Sequence, residues 1–222
     1  MGWIEFVAAF AAFFLSHSLP LRPPVRAALR ARLGRRGFGL AYSALSLAVL
    51  AWLIGAAARA PHVPLWDWAP WQNVVVIAVM LAVCLLLALA LGRPNPLSFG
   101  GAWNDRFDPT RPGIVRWTRH PVLTALALWS AAHLLANGDL AHVALFGTFA
   151  GFSLLGMRLV DRRKRADMGP DWTRLVQAVR AAPRSASWRG EPRLALRLGL
   201  GLALYAALLW AHPLLFGVDP LA

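Results

Sequence analysis

Three histidines border or lie within hydrophobic runs: His17 in FFLSHSLP, His120 in TRHPV and His133 in WSAAHLLANGD. Imidazole is the side chain best suited to bind a transition metal or to exchange a proton near neutral pH. An ionisable group inside an apolar run of membrane length is costly, so it is expected to have a partner or a task. His133 is the sharpest case, as the one ionisable residue between Pro121 and Ala136. The remaining histidines, His62, His142 and His212, fall in a loop or at segment ends, where polar residues cost little. They read as solvated or interfacial.

Other chemistries lack their parts. The single cysteine, Cys84, excludes an internal disulfide and a cysteine-built zinc or iron–sulfur site. No G-x-S-x-G, H-E-x-x-H or Walker A motif occurs. Glu5 and Asp219 are terminal and the other acids lie in loops, which leaves a proton-coupled pump or a carboxylate hydrolase little to work with. Imidazoles without thiolates or carboxylates point to iron, copper or haem. In an apolar bundle haem is the natural choice, because its macrocycle buries in hydrocarbon while histidines from facing helices hold the iron. His120 and His133 on one straight helix project about 140° apart and are separated by about 20 Å, so one iron cannot take both. If two histidines hold the iron, His17 must supply one ligand, with His120 or His133 as the other. Depth favours His120, since it and His17 both lie toward the cytoplasmic ends of their segments. The plain structural reading is that His133 bonds Ser130 or Asn137 on its own helix, or bridges to a neighbour.

The elements that must position these residues follow from composition. The 222-residue chain is 58% hydrophobic and only 15% charged, with mean hydropathy +0.52. The apolar residues fall in long blocks, the pattern of a polytopic membrane protein. The net charge of +13 would suit a nucleic-acid binder. Here the arginines lie between apolar blocks, so topology explains them and no nucleic-acid partner is expected. The expected fold is an all-α, polytopic integral membrane bundle of about six transmembrane helices with a cytoplasmic surface helix, forming a single domain over residues 1–222. The segments run from about Ile4 to Leu19, Gly39 to Ala58, Asn73 to Gly92, Pro121 to Ala136, Leu140 to Val160 and Leu194 to Val218. Prolines 20, 23 and 24 should stop or kink the first, with a loop following to Arg36. A tryptophan cluster at 66, 68 and 71 suits a membrane interface. Residues 93–120, rich in Pro and Gly, read as ordered turns. Asn137-Gly138-Asp139 makes a tight helical hairpin. Trp172, Leu175, Val176 and Val179 share one helical face, which predicts a short amphipathic helix on the membrane surface. The start MGWIEF has Glu5 and no basic n-region, so no signal peptide is expected. Alternate loops carry twenty basic residues against one, so the positive-inside rule puts both termini outside, periplasmic in a bacterial inner membrane.

The order FxxSHS, PGxxRxTRHP, AHLLxNGD and a basic run with GPxW resembles the NnrU family over nearly the whole chain. That resemblance implies a bacterial membrane protein associated with expression of nitrite and nitric oxide reductases. The family is in turn similar to the zeta-carotene isomerase, a membrane enzyme that uses haem b to isomerise a cis double bond of a polyene. The likeness implies haem b ligated by His17 and His133, with His120 a further site residue, where depth alone favours His120. Arg116 and Arg119 at the cytoplasmic edge would then pair with the propionates. Arg119-His120-Pro121 also resembles the cofactor-site entry of isoprenylcysteine carboxyl methyltransferases and related phospholipid methyltransferases. In that alternative Arg119 and His120 contact S-adenosylmethionine beside Arg158 and Asp161. The Tyr and Gly that follow the corner in those enzymes are absent here, where Val122, Leu123, Thr124 and Ala125 stand. A third alternative is a non-catalytic partner that assists assembly of a respiratory complex.

Overall fold

In the computed structural model every regular element is helical among the described residues, which are 2–185, 188 and 193–221. The helices are α1 (Gly2–Ser18), α2 (Pro23–Arg59), α3 (Pro70–Ala90), α4 (Pro121–Ala136), α5 (Leu140–Met168), α6 (Pro170–Ala181) and α7 (Leu194–Phe216). Four of them, α2, α3, α5 and α7, are long and apolar enough to cross a membrane, while α1 and α4 are shorter apolar helices. About six spanning helices were expected; the four long ones meet that description and two fall short in length. Only 6% of the most apolar window of α7 is buried within the protein. A helix so apolar and so uncovered needs a hydrocarbon solvent. The chain is a multi-pass membrane protein.

The loop expected up to Arg36 is instead helical. Pro23 and Pro24 open α2 at its first turn, where a missing N–H costs nothing, and the Arg- and Ala-rich stretch after them favours helix. The break comes later, at Gly34, whose φ of 70° interrupts the helix. Helix α5 likewise runs eight residues past the expected Val160, carrying its basic end to Met168.

Two compact units are distinguishable, one of Met1–Asp67 with Gly138–Leu145, the other of Trp68–Asn137 with Phe146–Ala222. In the first, α1 packs on α2 through Phe6, Ala9, Leu53 and Ala56, all buried. An ion pair joins Glu5 to Arg59 at 2.5 Å near the open end of this pair. The Gly138-Asp139 turn is held by Leu65 N–H donating to Gly138 O at 2.7 Å and Leu140 N–H donating to Val63 O at 2.9 Å. Asp139 caps α5 by accepting from the backbone N–H groups of Ala141 and His142.

In the second unit α3 packs against α4 and α7. Arg197 of α7 donates to Ala88 O at 2.8 Å and Leu91 O at 3.0 Å, satisfying carbonyls at the end of α3. Residues 93–120 form the ordered turns expected of them, with short 3₁₀ turns at Asn104–Arg106 and Gly113–Arg116. Asn95, 4% exposed, organises this segment. Its side chain accepts from Leu97 N–H and donates to Arg119 O, while its own N–H donates to Asn104 Oδ1. Gly101 lies against Asn95, and a Cβ there would come within 2.8 Å of the Asn95 nitrogen. Helix α6 forms as its spacing predicts. Its apolar face, however, is not offered to a membrane surface. Trp172, Val176 and Val179 are buried with Leu97, Ile114 and Val115. Covering the turns of residues 93–120 removes that face from water as well as lipid would.

Candidate functional site

The best-built polar site grows from the Arg119-His120-Pro121 corner. Pro121 starts α4 at a position that tolerates proline, and His120 precedes it as the cap residue. Thr118 Oγ1 accepts from His120 N–H at 3.3 Å and shares a 2.7 Å hydrogen bond with Thr124 Oγ1. These contacts fix the backbone, and the imidazole then faces α5. His120 Nε2 lies 3.0 Å from Asp161 Oδ1, and its Nδ1 lies 2.9 Å from Ser98 Oγ. Asp161 also receives the Arg119 guanidinium as a two-point fork, Nη2 to Oδ2 at 2.5 Å and Nε to Oδ1 at 3.3 Å. Burial pushes the His120 imidazole below its ordinary range, the nearby Arg119 adds to this, and Asp161 opposes both. A neutral His120 donating from Nε2 to Asp161 and accepting at Nδ1 from Ser98 satisfies every group.

Ser98, His120 and Asp161 thus have the connectivity of a hydrolase triad. Ser98 is only 4% exposed, and the chain of bonds braces the corner against α5. A cavity of about 470 Å³ opens beside this brace, lined by residues 117–120 on one side and by Leu154, Met157, Arg158 and Asp161 of α5 on the other. Arg158 makes no hydrogen bond or ion pair among the described residues, and its charge stands in that cavity. Arg116 points elsewhere, donating Nε–H to Ala182 O at 2.8 Å.

His133 is set differently. Its Nδ1 lies 2.9 Å from Trp129 O one turn back, so the ring donates Nδ1–H there and keeps an Nε2 lone pair. The rings of Trp129 and Phe146 flank it at centroid distances of 5.4 and 5.2 Å. The partners anticipated on its own helix are otherwise used: Ser130 donates to Leu126 O, and Asn137 donates to the His133 backbone carbonyl. His17, in the other unit, repeats the arrangement. Its Nδ1 lies 2.8 Å from Phe13 O, and its ring stacks on Phe13 at 4.1 Å. An imidazole anchored by Nδ1–H to a carbonyl, with Nε2 left basic, is the form in which histidine binds iron. His120 has neither nitrogen to spare. Among the described residues no group of three or more His, Cys, Asp or Glu side chains is placed to hold a metal ion. Haem makes no such demand, since its macrocycle supplies four of the ligands and the protein one or two.

The sequence profile of the NnrU protein family matches residues 5–220. The chain belongs to the NnrU family. No curated protein and no solved structure matches it. Within the matched residues the histidines divide between the two settings just described: the RHP corner builds the braced cavity, and the SHS and AHLL histidines have an Nε2 that makes no hydrogen bond among the described residues. Sequence reasoning missed Ser98 and Asn95 as partners of the corner, because a serine and an asparagine in a Pro- and Gly-rich stretch carry no periodic signal. Asp161 was visible only through the methyltransferase comparison.

Proposed function

We propose that this NnrU-family membrane protein binds haem b and that His133 is an axial ligand. The observation that carries the reading is the Nδ1–H bond to Trp129 O in an aromatic, half-buried setting, which leaves Nε2 as the only unspent nitrogen. His17 is the ligand candidate of its own unit, held the same way by Phe13 O. His120 is a brace in this reading and is not a ligand. Arg116, which spends Nε on Ala182 O, retains its Nη edge for a propionate, whereas Arg119 is committed to Asp161. Bound haem would supply a redox-active iron, suited to gated isomerisation of a hydrophobic polyene or to support of nitrite and nitric oxide respiration. The chain's own residues would orient it: Trp129 and Phe146 exclude water from the ring edge, and the helix fixes the imidazole tautomer. The setting is the bacterial inner membrane with both termini periplasmic, supported by the arginine asymmetry of the loops.

The test is the visible spectrum of detergent-purified protein, oxidised and then dithionite-reduced. A sharp Soret band with resolved reduced α and β bands is expected. A colourless preparation, after expression with haem supplied, would sink the reading. One observation favours a second reading, a methyltransferase: Arg119, His120, Arg158 and Asp161 do line a single cavity. Saturable heat on titration with S-adenosylmethionine would put that reading first.

A further inference from the structure

The cavity beside the RHP corner is asymmetric in charge and in polarity. Arg119 and Asp161 neutralise one another, and neutral His120 is held between Ser98 and Asp161. That leaves the Arg158 guanidinium as the uncompensated charge on the lining. Leu154 lies one turn earlier on the same face of α5 and is 57% exposed, with Met157 beside it. Along the helix axis the wall therefore changes from apolar to cationic. That gradient complements an amphiphile with an anionic head, and the volume of about 470 Å³ is that of a small-molecule site. Helix α5 is one of the helices long and apolar enough to cross a membrane, and Arg158 opens its basic C-terminal run, the kind of stretch that attracts anionic head groups.

We propose that this cavity binds a phosphate-bearing anionic lipid, the head-group phosphate on Arg158 and the adjoining acyl carbons along Leu154 and Met157. The ligand is drawn from the bilayer and its binding is independent of haem. Arg119 is not needed for the contact, because its fork is already filled by Asp161. A guanidinium supplies the paired N–H donors that a phosphate diester accepts.

The experiment uses the full chain in a zwitterionic detergent, with short-chain phosphatidylglycerol added and adducts counted by native mass spectrometry. Phosphatidylcholine, inorganic phosphate and S-adenosylmethionine serve as competing probes. Two variants accompany the native protein: R158Q in the cavity, and R162Q, an exposed arginine of the same basic run that does not line it. Both alter exposed side chains, so both should elute as the native protein does. R158Q should lower phosphatidylglycerol affinity about tenfold, the effect of one charge-assisted contact, while R162Q should bind as the native chain does. Phosphatidylcholine should compete poorly, and inorganic phosphate at the same concentration should not displace the lipid. Equal binding by R158Q, or an equal loss in R162Q, would overturn the site. Full displacement by inorganic phosphate would overturn the lipid as its source, and displacement by S-adenosylmethionine would reassign the cavity to that cofactor.

Discussion

His120 and His133 lie at opposite ends of one short helix and are treated in opposite ways. At the N-terminal end, both nitrogens of His120 are consumed, and the ring is tied to Ser98 on a turn and Asp161 on a neighbouring helix. At the C-terminal end, His133 spends one nitrogen on a carbonyl of its own helix and is flanked by the rings of Trp129 and Phe146. A saturated imidazole is structural, because any new partner must displace a bond already made. A half-used imidazole in apolar surroundings is available. The same residue type therefore gives a joint in one place and a ligand candidate in the other.

The largest effect expected from breaking this contrast is on haem content. His133→Ala should bring the haem-to-protein ratio to near zero, while His120→Ala should leave the Soret band of the folded fraction in place. Loss of haem in both variants to the same degree would erase the distinction. The next largest effect is on stability. Asp161→Asn removes the carboxylate shared by Arg119 and His120, and side-chain exposures of 29% and 20% for Arg119 and Asp161 keep the cost below that of a fully buried pair. A loss of about 2–3 kcal/mol is expected, seen as a lower melting temperature in detergent with haem per folded molecule unchanged. An unaltered melting temperature would show that the fork is decorative.

Much of this is legible in the sequence, for a physical reason. Membrane helices are written in composition, and the boundaries of α4 and the start of α5 were read without error because Pro121, Asn137 and Gly138 punctuate them. The misreadings lie where local and tertiary signals compete. Pro23 and Pro24 look like breakers and act as a helix start, and Gly34 makes the break instead. The α6 face was legible as amphipathic, yet its burial against Ile114 and Val115 depends on a loop whose shape no periodicity encodes. The same holds for the site. The RHP corner and His133 stood out as ionisable groups at apolar runs, whereas Ser98, distant in sequence and plain in type, became visible only once the turn brought it to His120.

Acid should sharpen the contrast by acting on the braced end. The folded protein holds the His120 imidazole below its ordinary value of 6.5, chiefly through burial, while the unfolded chain titrates near that value. Between the two values the unfolded state binds more protons, so folding stability falls as pH drops. The stability is complete above 6.5 and is lost as pH falls from there through the lower folded value. Asp161 and Arg119 are the charged groups facing the ring, the first opposing the shift and the second adding to it. In a thermal series from pH 7 to pH 5, His120→Gln should flatten the decline relative to the native chain. Parallel curves would mean that another group carries it.

The smallest effect concerns the hydroxyl at the far side of the brace. Ser98 is buried and its Oγ lies 2.9 Å from His120 Nδ1. With Nε2–H committed to Asp161, Nδ1 is the acceptor and Ser98 the donor, so Ser98→Ala leaves a buried lone pair unmet without disturbing the ion pair. That should cost about 1 kcal/mol, measured as a melting shift smaller than that of Asp161→Asn. It should also weaken what acid does locally. Without the Ser98 donor, a proton on Nδ1 no longer competes with a hydrogen bond, so the His120 pKa should rise toward its ordinary value and the pH dependence should weaken. If Ser98→Ala instead steepens the acid loss, the hydroxyl was accepting from a charged imidazole, and the braced end of α4 holds an ion where this account places a neutral ring.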